Sequence, residues 1–290
     1  MEAVFAAAVS IVFLGLSYAM ILYIVSVGLS VTMGLMGFTN LAHGVFAVAG
    51  GYVTLTLMNS HGVPFFAALV IAFVVVAAAS VILERFLYAR LYGASELEQV
   101  LFTIGLIFMA IAGAQYVWGP FPQRMQLPDY LRGQISLGFR DFPTYRAFMI
   151  VVSLVLIGLL WFGVERTNFG AQVRAAVDNR RMAQSLGINT GRLFTLTFAL
   201  GSGLAALGGG LGAEILAIHP AYPVEHLVYF LIVVAVGGLG SLKGPFVAAV
   251  LLGVGDTAFK YLVPEFGAFF IYAAMIAVLL WRPSGLFGRS

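Results

Sequence analysis

Thr39, Asn40 and His43 stand together inside an apolar stretch, GLMGFTNLAHGVFAVAGG, with Gly34, Gly37, Gly44, Gly50 and Gly51 around them. Polar groups at a depth where a plain helix should be apolar are candidates for contact with a polar solute. Glycine permits backbone breaks and close approach, and freed N–H and C=O groups are tolerated in a membrane only where they line a cavity or meet protein. A broken helix here would present both side chains and dipole ends to a zwitterionic ligand. The alternative for His43 is a hydrogen-bonded packing residue. A metal site is disfavoured, because no second His or carboxylate stands at i+3 or i+4.

Other chemistry-bearing residues are sparse. Glu214, His219, Glu225 and His226 cluster in AEILAIHPAYPVEH, a spacing that could suggest zinc or a proton relay. At a water interface they need no such role, and both a contact for substrate or a binding protein and an ordinary solvated loop stay open. Asp256 and Lys260 form an i,i+4 pair near the outer end of a span, most simply an ion pair. The sequence contains no nucleophile–base set, no GxxxxGK[ST] phosphate loop and no cysteine, so catalysis, ATP hydrolysis by this chain and thiolate chemistry are not expected. Nothing points to nucleic acid.

A basic island, ERTNFGAQVRAAVDNRRMAQSLGINTGR, occupies 165–192 and holds five of the fifteen Lys and Arg residues: Arg166, Arg174, Arg180, Arg181 and Arg192. On a helix, Ala175, Ala176, Met182, Ala183 and Leu186 share one face, and Arg174, Asp178, Arg181 and Ser185 another. The expectation is one short amphipathic helix ended by Gly187. Its stripe of mostly small residues suits a protein groove better than lipid, although a solvated basic loop remains the alternative.

The elements that carry these groups follow from composition. Hydrophobic residues make up 61% of 290 and charged residues 9%, against roughly 25% charged in a soluble domain. The chain therefore reads as a single all-α polytopic membrane domain, 1–290. About 20 apolar residues cross the hydrocarbon core, and nine such segments lie near 8–33, 40–58, 64–83, 99–117, 147–164, 193–213, 226–238, 245–262 and 267–281. About nine helices (8–10) are expected, the first two and the seventh being candidates for breaks. The N-terminus lacks the basic region of a signal peptide, so the first span is expected to be retained.

If the breaks at 84–98, 165–192 and 239–244 and the tail from Arg282 share a side, that side holds ten of the fifteen basic residues, Arg289 included, against five acidic ones. The positive-inside rule makes it cytoplasmic, with the N-terminus and the 118–146 loop outside. That loop carries four prolines, aromatics and four arginines, which predicts a folded extracytoplasmic cap and leaves room for a docking surface.

Gly34–Gly37 with His43-Gly44-Val45-Phe46-Ala47 is paralleled by Gly237–Gly240 with Lys243-Gly244-Pro245-Phe246-Val247, which suggests an internal parallel repeat with a path between its halves. Gly201, Ala205, Gly209 and Ala213 form a small-xxx-small ridge for close packing, within the chain or against a partner.

GLSVTMGLMGFTNLAHGVFAVAGGY, RAAVDNRRMAQSLGINTGRLFTLTFALGSGLAALGGGLGA, VAVGGLGSLKGPFVAAVLLG and RPSGLFG resemble, in order, segments of permease subunits from ABC importers of the branched-chain amino acid type. The resemblance implies a second homologous permease, two ATP-binding subunits that bind ATP and Mg on the cytoplasmic face, a periplasmic substrate-binding protein, and a bacterial inner-membrane location with a cytoplasmic C-terminus. It implies no cofactor in this chain. It makes 171–187, with Arg174, Ala175, Ala176, Asp178, Arg181, Met182, Ala183, Leu186 and Gly187, the coupling element. The glycine breaks, with Gly37, Thr39, Asn40, His43, Gly44, Gly237 and Gly240, become the candidate substrate path. Relatives carry leucine, isoleucine and valine, or urea, short amides, other amino acids or aromatic acids. The competing class is a self-sufficient secondary transporter or channel.

Overall fold

A computed structural model describes residues 2–288 apart from Leu137 and Phe139; Arg289 lies outside the described residues. The long apolar runs form helices because, at hydrocarbon depth, a helix satisfies its own backbone groups. In order they are α1 (Glu2–Met36), α2 (His43–His61), α3 (Phe65–Phe86), α4 (Glu96–Trp118), α5 (Thr144–Arg166), α6 (Asn168–Asp178), α7 (Arg180–Ser185), α8 (Thr190–Gly212), α9 (Tyr222–Gly237), α10 (Lys243–Leu262) and α11 (Phe270–Trp281). Each of the nine expected segments holds one helix, but α1, α3, α4, α5, α8 and α10 are the six long and apolar enough to cross a membrane. α9 and α11 are apolar but shorter, and α2 is diluted by glycine, threonine and asparagine.

α8 is the centre of the bundle, packed by α1, α2 and α3. Its ridge faces inward: a Cβ at Gly209 would run into the Ala47 carbonyl, one at Gly201 would press on Gly28, and one at Gly208 on Val25. The small-residue pattern therefore serves packing within this chain.

The breaks collect at one end. Arg180 sits 4.5 Å over the Phe194 ring, Tyr92 meets Phe194, and Lys243 lies 4.0 Å from Glu165. The tail returns to the same end, where Leu286 N–H donates to Val236 O. The expected grouping of basic breaks on one face is thus seen; we call it the island face. At the opposite, distal end, residues 118–146 are folded around a hairpin of β1 (Gln134–Ser136) and β2 (Asp141–Pro143). Arg140 ties this cap to Ser10 of α1 at 3.0 Å, and Gln123 N–H to Ile218 O at 2.7 Å.

Gly209→Val should cost about 1–3 kcal/mol or more by overpacking the α2–α8 contact. Gly105→Ala on α4, where an added Cβ would meet nothing within 4 Å among the described residues beyond its own stretch of helix, should be neutral or stabilising by about 0.5–1 kcal/mol. Thermal midpoints of the detergent-solubilised chain would measure both.

Candidate functional site

The first break is sharper than the glycine pattern predicts. α1 stops at Met36, Gly37 takes φ 60°, and α2 begins at His43. A φ of that sign is strained for any residue with a Cβ, so Gly37 is the position that lets the chain turn. The other glycines of the motif stay helical and serve close approach, Gly34 against Gly240, Gly44 against Pro223 and Gly50 against Ala206.

Asn40 Oδ1 accepts from Ala42 N–H at 3.1 Å and from the Tyr88 hydroxyl at 3.2 Å, and the Thr39 N–H donates to Gln99 Oε1 at 3.1 Å. His43 Nε2 lies 3.1 Å from Val25 O. Asn40 and His43 are almost wholly buried, so in this conformation they are packed inside the bundle. Asn40 Nδ2 and His43 Nδ1 are nevertheless buried without a hydrogen-bond partner among the described residues, as are Ser26 Oγ, Thr197 Oγ1 and Ser202 Oγ. Such groups each cost about 1–3 kcal/mol while unpaired.

The second break repeats the local geometry. α9 ends at Gly237, Gly238 and Gly240 have φ 99° and 74°, and α10 begins at Lys243. Gly237 packs on the Gly244–Pro245 backbone. The second break is fastened to α1 ahead of the first: Gly240 N–H donates to Ser30 O at 3.0 Å, and the Ser30 hydroxyl lies 3.3 Å from Gly238 O and 3.1 Å from Ser241 O.

The island differs from the single helix expected over 171–187. It is two helices, α6 and α7, interrupted at Asn179, whose extended backbone and side chain cap α7 by accepting from Met182 N–H at 3.0 Å. The break rotates the stripe. Ala176 and Ala183 turn inward and are buried, whereas Met182 and Leu186 are 63% and 77% exposed. Arg174, Asp178 and Arg181 also lie on the outer surface, Ala175 is half-buried, and Gly187 ends α7 with φ 86°.

Residues outside the expected set tie this island to both breaks. Val177 of α6 touches Gly240. On the other side, Phe38 packs on Tyr88 and Tyr92, and Tyr92 packs on Phe194, beneath Arg180. Glu84, 3% exposed, accepts from the Tyr92 hydroxyl and from Thr195 Oγ1 at 2.8 Å. Burial pushes both Tyr88 and Tyr92 above the ordinary phenol range, and Glu84 adds to this at Tyr92, so each remains a donor. Tyr92 is eight positions and Thr195 111 positions beyond Glu84, so no local spacing signals the link.

In the distal loop, His219 Nε2 lies 3.2 Å from Glu225, and His226 stacks on Tyr222 at 4.2 Å. Lys260 Nζ and Asp256 Oδ2 form the expected pair at 2.7 Å.

A family profile described as the permease component of branched-chain amino acid transport systems matches residues 11–279. The chain belongs to that permease family. The high-affinity branched-chain amino acid transport system permease protein BraD of Pseudomonas aeruginosa is 29% identical, over 95% of this chain and 92% of its own length. LivH of Escherichia coli K12 is 28% identical over the same shares, and LivM of that strain is 26% identical over 92% of this chain and 68% of its own length. No solved structure matches. The permease is thus a multi-pass membrane protein whose relatives are transport components, as its motifs imply.

Tyr92→Phe in this permease should cost about 1–3 kcal/mol, because it leaves a buried carboxylate short of a donor. A double-mutant cycle with Glu84→Gln, read from thermal midpoints, should be non-additive.

Proposed function

We propose that the chain is a transmembrane permease subunit of an ATP-driven importer of branched-chain amino acids or related small amphipathic solutes. Separate ATPase subunits bind ATP and Mg, and this chain carries no cofactor. The observation that carries the reading is mechanical: one exposed island contacts both glycine breaks, through Val177 to Gly240 and through Arg180, Phe194 and Tyr92 to Phe38. A push on α6 and α7 reaches the two points where the helices are already discontinuous. The island face is cytoplasmic under the positive-inside rule, the C-terminus with it, and the N-terminus and the 118–146 cap are periplasmic at a bacterial inner membrane. A periplasmic binding protein docks on that distal side, a second homologous permease completes the path, and lipid surrounds the rest.

In this scheme Met182 and Leu186 are the apolar anchors that enter the ATPase, rimmed by Arg174, Asp178 and Arg181, while Ala176 and Ala183 transmit the movement inward. Gly37, Thr39, Asn40, His43, Gly44, Gly237 and Gly240 form the gate. Its unpaired polar atoms favour an alternative arrangement in which water or substrate satisfies them.

The joint substitution Met182→Glu and Leu186→Glu should lower uptake about tenfold or more, as loss of an interface anchor worth ~1.4 kcal/mol or more would, and should abolish copurification of the ATPases while the permease stays inserted. Normal uptake would remove the island from coupling. Asn40→Leu should reduce uptake severalfold with ATPase assembly intact, measured in the same cells; a full rate would return Asn40 to packing.

A further inference from the structure

A cavity of about 360 Å³, mainly apolar but with several ionisable and hydroxyl groups in its wall, opens in the distal half of the bundle, away from both glycine breaks. Its walls come from α1, α5, the loop after α8, α9 and α10. Arg146 and Lys260 supply positive charge, Asp256 supplies a carboxylate that is 3% exposed, and Tyr18, Tyr229 and His226 supply neutral polar groups. Leu14, Ile215 and Leu216 supply an apolar side. Glu214 lies close enough to act electrostatically on Arg146, so two cations stand with two carboxylates and the surroundings are neutral overall.

The position makes this chemistry informative. Asp256 is thirteen residues into α10 from Lys243, roughly 20 Å above the island face at ~1.5 Å per residue. Ionisable side chains at such depth are costly against lipid and belong on a water-filled path or a protein contact. Arg146 is held toward α1 by Ser17 at 3.5 Å, and Asp256 by Lys260 at 2.7 Å. The volume falls at the low end of sites for small ligands, which pair an apolar wall with a few convergent polar groups.

We infer that this cavity is the outer binding site for a free α-amino acid, with Arg146 receiving the carboxylate, Asp256 the ammonium, and Leu14, Ile215 and Leu216 the aliphatic side chain. The inference rests on the importer reading and adds to it a substrate site distinct from the glycine gate. Lys260 is the resident counter-ion that the substrate ammonium displaces from Asp256. An amine without a carboxylate, or a carboxylic acid without an amine, satisfies only half of the site.

The chain has no cysteine, so a single Thr257→Cys in the cavity wall provides a clean probe. In cells carrying the complete transport system, a membrane-impermeant thiol reagent added from outside should modify Thr257→Cys and block uptake of labelled leucine, with saturating leucine slowing the modification. Arg146→Gln and Asp256→Asn should each lower leucine uptake about tenfold or more at unchanged permease and ATPase levels, and Arg146→Lys and Asp256→Glu should recover part of it. Thr257→Cys that resists the reagent, or is modified without loss of uptake, overturns the site, as do fully active Arg146→Gln and Asp256→Asn variants. If the unsubstituted system takes up no amino acid, the importer reading fails and the ligand class falls with it; uptake by the parent with indifferent variants sinks the cavity alone.

Discussion

Close approach of helix backbones along α8 is the constraint on which the rest of the permease depends. In lipid there is no hydrophobic gain from bringing two apolar helices together, so association rests on packing, and packing is best where side chains are missing. Gly201 against Gly28, Gly209 against Ala47 and Ala206 against Gly50 bring α1 and α2 onto one helix. With those contacts made, the six residues between Met36 and His43 have little freedom: Gly37 must turn, and Asn40 Oδ1 holds the Ala42 N–H just before α2, within reach of Tyr88.

The same economy of side chains sets the electrostatics. Charges are concentrated at the island face and the distal cap, and the ionisable groups that enter the bundle are individually accommodated. Glu84 is surrounded by two hydroxyl donors, and Asp256 by an ammonium. The Asp256–Lys260 pair lies within α10, whereas the Glu84–Thr195 bond joins α3 to α8, elements that a moving permease would shift relative to one another. Buried polar links of this kind have discrete arrangements more than a continuum, which is what a transporter with an outward and an inward state requires.

Much of this was legible in the sequence. The apolar segments place all nine longer helices, the glycine at 187 ends its helix, and the basic breaks gather on one face. The interruption at Asn179 was not legible, because an amphipathic wheel drawn through 171–187 absorbs it; the available signal was an asparagine before Arg180-Arg181-Met182, a residue type that favours helix N-caps. Of the nine segments read as spans, α2, α9 and α11 are helical but shorter or more diluted than the other six. The Glu84–Tyr92–Thr195 link and the distal cavity draw on residues far apart in the chain, and no periodicity records such meetings.

α1 has a consequence that concerns the bilayer more than the protein. Its 35 residues amount to about 52 Å of helix at ~1.5 Å per residue, against a hydrocarbon core of about 30 Å. It is fastened to the cap where Arg140 meets Ser10, eight residues in from its start, and to the second break at Ser30, six residues before its end. A rod pinned at two points cannot shorten; it answers a change in membrane thickness by tilting. Lipid chain length thereby bears on the tilt of α1, and with it on the line that joins the cap to the breaks.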